Sequence, residues 1–219
     1  MDLTDRLYAA AKDIWDGYLE QPFVKELGEG TLREDRFRFY MVQDYRYLLQ
    51  YAKVFAMGVV KAREESLMAC FARMVHDTLD GEMKLHQTYM SRLGISAQEI
   101  AETKSSLVNQ SYTSYMLDAA YQGGPLEILT AVLSCAWSYQ MIGEHHEKIP
   151  GALEHPLYGE WVAGYSSKEY REGTQEIIDL VNDLGRGISP EREEALKEIF
   201  VNCSRYEKDF WDMAYDMAE

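Results

Sequence analysis

Nearly every stretch of this chain repeats its apolar residues at three and four positions, and nearly every break in that rhythm carries a glycine or a proline. Leu7, Ala11, Ile14, Trp15 and Tyr18 stand at i, i+4, i+7, i+8 and i+11, one face of a first helix. Pro22 breaks it, and a short turn is expected as far as Gly28. Thr31 with Glu34 has the spacing of a capping box, opening a long helix through Gln43 and Tyr51 to about Ala62. The next helix runs from about Glu65 to Leu93 and stops at Gly94, after which Ser96 and Glu99 cap a short one. The segment YTSYMLDAAYQ is helical up to Gly123 and Gly124. Pro125 suits the first position of a helix that carries Cys135 and ends before Pro150. HPLYGEWVAGYSS reads as irregular or briefly helical. Ser166 with Glu169 starts a helix ending near Gly185, and Ser189-Pro190 starts the last, where Glu191, Glu193 and Glu194 favour its N-terminus through the helix dipole. No strand alternation, repeat, low-complexity tract or linker interrupts the pattern. The expectation is a single all-α domain over residues 1–219.

At 219 residues and 47% hydrophobic, the chain can bury a substantial core. Its formal charge of −15 argues against nucleic acid and against an anionic membrane surface, since both call for a basic face. No apolar run of spanning length occurs, and the opening MDLTDRLYAAAKD lacks the basic-then-apolar layout of a secretory signal. Cys70, Cys135 and Cys203 are odd in number and widely spaced without a CxxC pair, so neither a disulfide framework nor a zinc site is expected, and free thiols suit the cytoplasm. The 16 tyrosines supply flat faces with polar tips, suited to a heteroaromatic ligand as well as to a core or an oligomer interface.

Three of the helical segments set one reactive or ionisable group inside an apolar or aromatic stripe. Asp44 shares a face with Tyr40, Tyr47 and Tyr51, a carboxylate framed by rings that could accept from an amino group on a stacked ring. A bond to a neighbouring tyrosine would serve structure alone. Cys135 shares its face with Ile128, Val132, Tyr139 and Ile142. A lone buried cysteine behaves as a small hydrophobe, which fits Cys70 and Cys203, but Cys135 has a tyrosine hydroxyl at i+4 that could help a thiolate form. Glu207 lies with Phe200, Cys203, Phe210, Trp211 and Ala214. Burial there would raise its pKa toward that of a general acid, because Arg205 and Lys208 point to other sides of the helix. The histidines contribute little. His145 and His146 are adjacent and cannot face one metal, Glu82 and His86 are four apart, and no Glu-x-x-His of a di-iron bundle occurs. No GxGxxG, P-loop or GxSxG is present. Neither a metal nor a cofactor is expected.

Taken in order, YMVQDYRYL, YTSYM at 112–116, SCAWSY around Cys135, WVAGYSS around Tyr165 and SRYEKDFWDMAY resemble the TenA, or thiaminase II, family over essentially the whole length. The resemblance implies a heme-oxygenase-like multi-helical bundle without haem, assembled as a homotetramer. It implies hydrolysis of a substituent on the methylene of a 4-amino-2-methylpyrimidine, giving the hydroxymethylpyrimidine used for thiamin synthesis. On that resemblance Cys135 is the nucleophile of the cysteine-containing class and Glu207 the acid/base. Asp44 anchors the amino group and the adjacent ring nitrogen. Tyr47 and Phe210 are aromatic walls, and Tyr112, Tyr139 and Tyr165 supply hydroxyls. Two other readings compete: a non-catalytic protein that sequesters a vitamin or other heteroaromatic, for which Cys135 and Glu207 would be dispensable, and a metal-dependent oxidase, which would need a clustered histidine–carboxylate set. Whether thiamin or its aminomethylpyrimidine breakdown product is preferred depends on the leaving-group side of the pocket.

Overall fold

The computed structural model describes residues 1–218, and the helices read from the periodicity are all present in it. In chain order they are α1 (Leu3–Trp15), α2 (Pro22–Glu29), α3 (Glu34–Lys61), α4 (Glu65–His76), a π-helical segment (Asp77–Glu82), α5 (Met83–Arg92), α6 (Ala97–Glu102), α7 (Leu107–Gln122), α8 (Pro125–His146), α9 (Gly159–Tyr165), α10 (Lys168–Leu184) and α11 (Pro190–Asp216). No strand occurs among the described residues.

The local signals succeed where a side chain has no better partner than the helix end. Ser96 accepts from the Glu99 amide at 3.1 Å, and Gly94 takes the left-handed conformation, φ +68°, that closes α5. Four expectations are corrected. Pro22 opens α2 instead of a turn: its fixed φ and missing N–H suit the first helical position, and Gln21 caps the helix by accepting from the Val24 amide. Thr31 does not cap α3, since Arg33 holds that place and the Thr31 hydroxyl lies 3.5 Å from the Glu26 carbonyl. The helix expected from Glu65 to Leu93 is interrupted by the π segment. The cap of α10 is Ser167, which accepts from the Tyr170 amide, while Ser166 donates back to the Val162 carbonyl.

The contacts divide the chain into two compact units, with one division between α2 and α3 and the other two inside α8 and α11. One unit comprises Met1–Leu32 and Leu129–Asp212. Its core is aromatic: Trp15, Tyr18, Phe23, Phe200 and Trp211 are fully buried, each contributing on the order of 1.5–3 kcal/mol by leaving water. Trp15 stacks on Phe200 with centroids 5.7 Å apart and donates from Nε1 to Ser204 Oγ at 2.9 Å. The start of α1 is tied to α10 by the Thr4 amide donating to Asn182 Oδ1, and to α11 by Arg6 paired with Glu193 at 2.8 Å.

The other unit comprises Arg33–Ile128 and Met213–Glu219. Here α3 is the central helix, packed by α4, α5, the π segment and α7. Gly58 of α3 lets the Phe71 ring of α4 lie directly on its backbone; a Cβ there would sit 2.3 Å from Phe71 Cδ1. Gln43, also on α3, organises the entry to α7. Its Nε2 donates to the Lys104 carbonyl, its Oε1 accepts from the Ser106 amide, and Asn109 Nδ2 donates to its carbonyl at 2.7 Å. A buried amide with its donors and acceptors used in this way pins the helix start against α3.

Candidate active site

In the first unit, α8 buries Ile128's successors Val132, Tyr139 and Ile142, and Cys135 lies among them with its side chain only partly covered. The other two cysteines are buried. The Cys203 thiol is pushed well up, first by burial and then by the charge of Glu207, so it has little access to the thiolate form. Glu207 is 2% exposed on α11, on the same buried face as Cys203 and Phe210. Its charged neighbours are engaged elsewhere: Arg205 donates to Asn202, and Lys208 pairs with Asp212 at 2.7 Å.

Tyr18 ties this group together. Its hydroxyl donates to the Ser204 carbonyl at 2.6 Å. Its pKa is driven well above the ordinary phenol value, first by burial, then by the Glu207 charge, and further by Cys135 and Cys203; the Ser204 bond works the other way. Tyr18 therefore stays a phenol, within electrostatic reach of both Cys135 and Glu207. The same unit holds a cluster of rings. Tyr139 lies 4.7 Å from Tyr165 and 5.0 Å from Trp211, Trp161 lies 4.6 Å from Tyr165, and Phe210 meets Trp211 at 6.5 Å. Cys135, Tyr139, Tyr165, Glu207 and Phe210 thus belong to one unit, and all but Cys135 are buried.

Asp44, Tyr47 and Tyr112 belong to the other unit. Tyr47 stacks on Tyr51 at 5.5 Å, tilts against Tyr112 at 5.3 Å and directs its hydroxyl to Met116 Sδ at 3.7 Å. Asp44 is 4% exposed, and its Oδ2 accepts from the Tyr40 hydroxyl at 3.3 Å, the bond that helix spacing allowed for. The same Oδ2 lies 2.5 Å from Nε2 of His86, a residue sequence reasoning passed over. His86 is as buried as Asp44, and its Nδ1 lies 3.0 Å from the Glu82 carbonyl. Burial works to lower the His86 pKa; the bond to Asp44, with the Asp44 and Glu82 charges, more than offsets it, and the net displacement is upward. A signal for His86 was available, because it alternates with Met83, Tyr89 and Met90 on an inward stripe. Its partner lies 42 positions away, beyond any local pattern.

The first unit supplies a partly accessible thiol, a buried carboxyl and several phenols; the second supplies a buried carboxylate paired with a histidine. Nucleophilic addition with proton transfer is within the means of the first. Among the described residues, no three histidine, cysteine or carboxylate side chains are grouped to hold a metal ion. No described helix is long and apolar enough to cross a membrane.

Similar proteins match the chain over nearly its whole length. An aminopyrimidine aminohydrolase of Helicobacter pylori is 46% identical over 215 residues, 98% of this chain and 99% of that protein. The solved TenA homologue of P. horikoshii superposes with a TM-score of 0.91 at 32% identity, covering 99% of both chains. Heme oxygenase-1 of the cyanobacterium Synechocystis, at 12% identity, shares the fold with a TM-score of 0.67 over 97% of this chain and 91% of that one. The heme-oxygenase-like all-α architecture is therefore shown. With the TENA/THI-4/PQQC family model matching residues 8–217, the chain belongs to that family.

Proposed function

We propose that this protein is an aminopyrimidine aminohydrolase of the thiaminase II type, releasing hydroxymethylpyrimidine from an aminomethylpyrimidine, from thiamin, or from both. The observation that carries the reading is the half-covered Cys135 thiol and the buried Glu207 carboxyl acting on one phenol, Tyr18, while the remaining thiols are buried. A sequestering protein has no need for that combination. The high identity to relatives named for this activity supports it.

The reaction replaces an amine on the exocyclic methylene by hydroxyl, consuming one water. A neutral aminopyrimidine is a poor electrophile. Proton donation from Glu207 to a ring nitrogen lets the ring accept the Cys135 sulfur, while the thiol proton passes to the amine that is to leave. Electrons of the adduct then expel the amine from the methylene, leaving an exocyclic alkene. Water adds at that carbon, the ring regains its electrons by releasing the sulfur, which takes the proton that the water gives up, and the ring-nitrogen proton returns to Glu207. Each bond change is matched by a proton transfer, so neither redox cofactor nor metal enters the balance. Asp44 holds the amino group and neighbouring ring nitrogen, Tyr47 and Phe210 wall the ring, and Tyr112, Tyr139 and Tyr165 supply hydroxyls.

The chain works as a single domain over 1–219, a reading supported by the family match across both units and by the two helices they share. A cytoplasmic homotetramer is proposed, consistent with free thiols and the tyrosine excess. The test is turnover of thiamin and of the aminomethyl analogue by the purified protein, compared as kcat/KM. Tight pyrimidine binding with no hydrolysis of either compound would hand the site to the sequestering reading.

A further inference from the structure

We propose that His86 is a positioning residue, holding the Asp44 carboxylate by Oδ2 so that Oδ1 faces the substrate as the acceptor for its ring amino group. The inference rests on the functional reading above, and it concerns a side chain to which that reading gives no role.

Hydrogen-bond bookkeeping supports it. The Glu82 carbonyl can only accept, so the His86 nitrogen 3.0 Å away, Nδ1, carries a proton. In a neutral imidazole Nε2 would then be a bare lone pair. A lone pair 2.5 Å from a carboxylate oxygen is repulsive unless a proton lies between them. The pair therefore holds a proton in the Nε2–Oδ2 contact and is neutral as a unit, which reduces the cost of burying both groups. Tyr40 donates to the same Oδ2. Both bonds to Asp44 thus fall on one oxygen, and Oδ1 accepts from no group among the described residues. Two donors on one oxygen fix the carboxylate plane and the direction of the other oxygen's lone pairs. An exocyclic amino group offers the N–H that such an acceptor takes. Both donors act through Asp44, so the effect belongs to binding and orientation.

Location adds a further argument. His86 stands in the first turn of α5, directly after the π segment, and its Nδ1 partner is the last residue of that segment. Irregular turns of this kind re-aim side chains and are frequent at functional sites.

The test uses the full-length protein and two substitutions that separate the ring nitrogens. His86→Asn can still donate to the Glu82 carbonyl but does not reach Asp44. His86→Gln places an amide N–H near the position of Nε2. For hydroxymethylpyrimidine binding by calorimetry and for KM, the Asn variant should weaken by about tenfold or more, the effect of one charge-assisted hydrogen bond, with kcat changed much less. The Gln variant should recover most of that loss. Wild-type KM and product affinity in His86→Asn would overturn the proposal. So would equal weakening in both variants that tracks a common fall in thermal stability, which would make His86 a packing residue only. Wild-type protein that binds no aminopyrimidine is a different failure, and refutes the functional reading itself. One readout is independent of activity: Asp44→Asn should shift the His86 ring resonances in nitrogen NMR toward the neutral imidazole, and unchanged resonances would remove the bridge on which the inference depends.

Discussion

Acidification from pH 7 to pH 5 should weaken the fold through one histidine. His146 ends α8 and is 1% exposed, and its Nδ1 has no hydrogen-bond partner among the described residues. The ring rests on bare backbone at Gly28, where a Cβ would come within 2.5 Å of Cδ2, and it lies 6.2 Å from Trp161. Burial, and secondarily the His145 charge, lowers its pKa from 6.5 to about 4. The unfolded chain thus binds a proton between those values that the folded chain refuses. Stability from this site is complete above the unfolded pKa and is lost as pH falls toward the folded one. Linkage puts the loss from pH 7 to pH 5 at about 2 kcal/mol. The C-terminal end of α8 favours a protonated histidine, by ~0.3–1 kcal/mol, too little to reverse the sign. Urea unfolding followed by tryptophan fluorescence, at one protein concentration, gives the stability at each pH. His146→Leu cannot take up the proton, so comparing it with wild type cancels the contributions of His86 and the carboxylates. Wild type should lose about 2 kcal/mol more than the variant over this range. Parallel curves would refute the claim that the buried ring resists protonation.

Cys135→Ser and Glu207→Gln should each abolish nearly all turnover, and because both act in one step the double variant should be little worse than the poorer single one; additive losses in kcat would separate their roles. Cys70→Ser and Cys203→Ser should keep turnover in the same assay, with some loss of stability. Asp44→Asn turns an acceptor into a donor amide, and should cost about 1–3 kcal/mol in calorimetric affinity for hydroxymethylpyrimidine. Gly58→Ala drives a methyl into the Phe71 ring and should cost about 1–3 kcal/mol, seen as a lowered thermal midpoint, while an unchanged midpoint would show that α4 yields freely there.

The helices were legible because burying one face leaves a 3.6-residue rhythm that survives without knowledge of the partner. Asp44, Cys135 and Glu207 were legible for the same reason, as polar groups out of place on a buried stripe. What was missed depends on contacts that local spacing does not encode. Pro22 breaks a helix only from inside one, and whether it begins α2 depends on Gln21 turning back to the Val24 amide. Thr31 misses the cap because α3 begins only at Glu34, which leaves Arg33 in that place. His86 fits no metal-ligand spacing, and its partner is a carboxylate on α3. Tyr18 fitted the apolar stripe so well that its hydroxyl bond to Ser204, 186 residues away, left no trace in the pattern.

The π-helical turn between α4 and α5 also bears on how the chain takes a change of length. An α-helix advances each side chain by about 100°, so one residue more or less rotates everything downstream by that angle. The wider turn at Asp77–Glu82 absorbs such a residue without breaking the rod. A single deletion there, for instance of Gly81, whose Cβ position has nothing within 4 Å, removes no packed side chain. It would be expected to restore an ordinary helix and leave His86 facing Asp44, whereas the same deletion within α4 would swing His86 about a quarter turn away. In that stretch the chain tolerates a change of count that the helix before it would not.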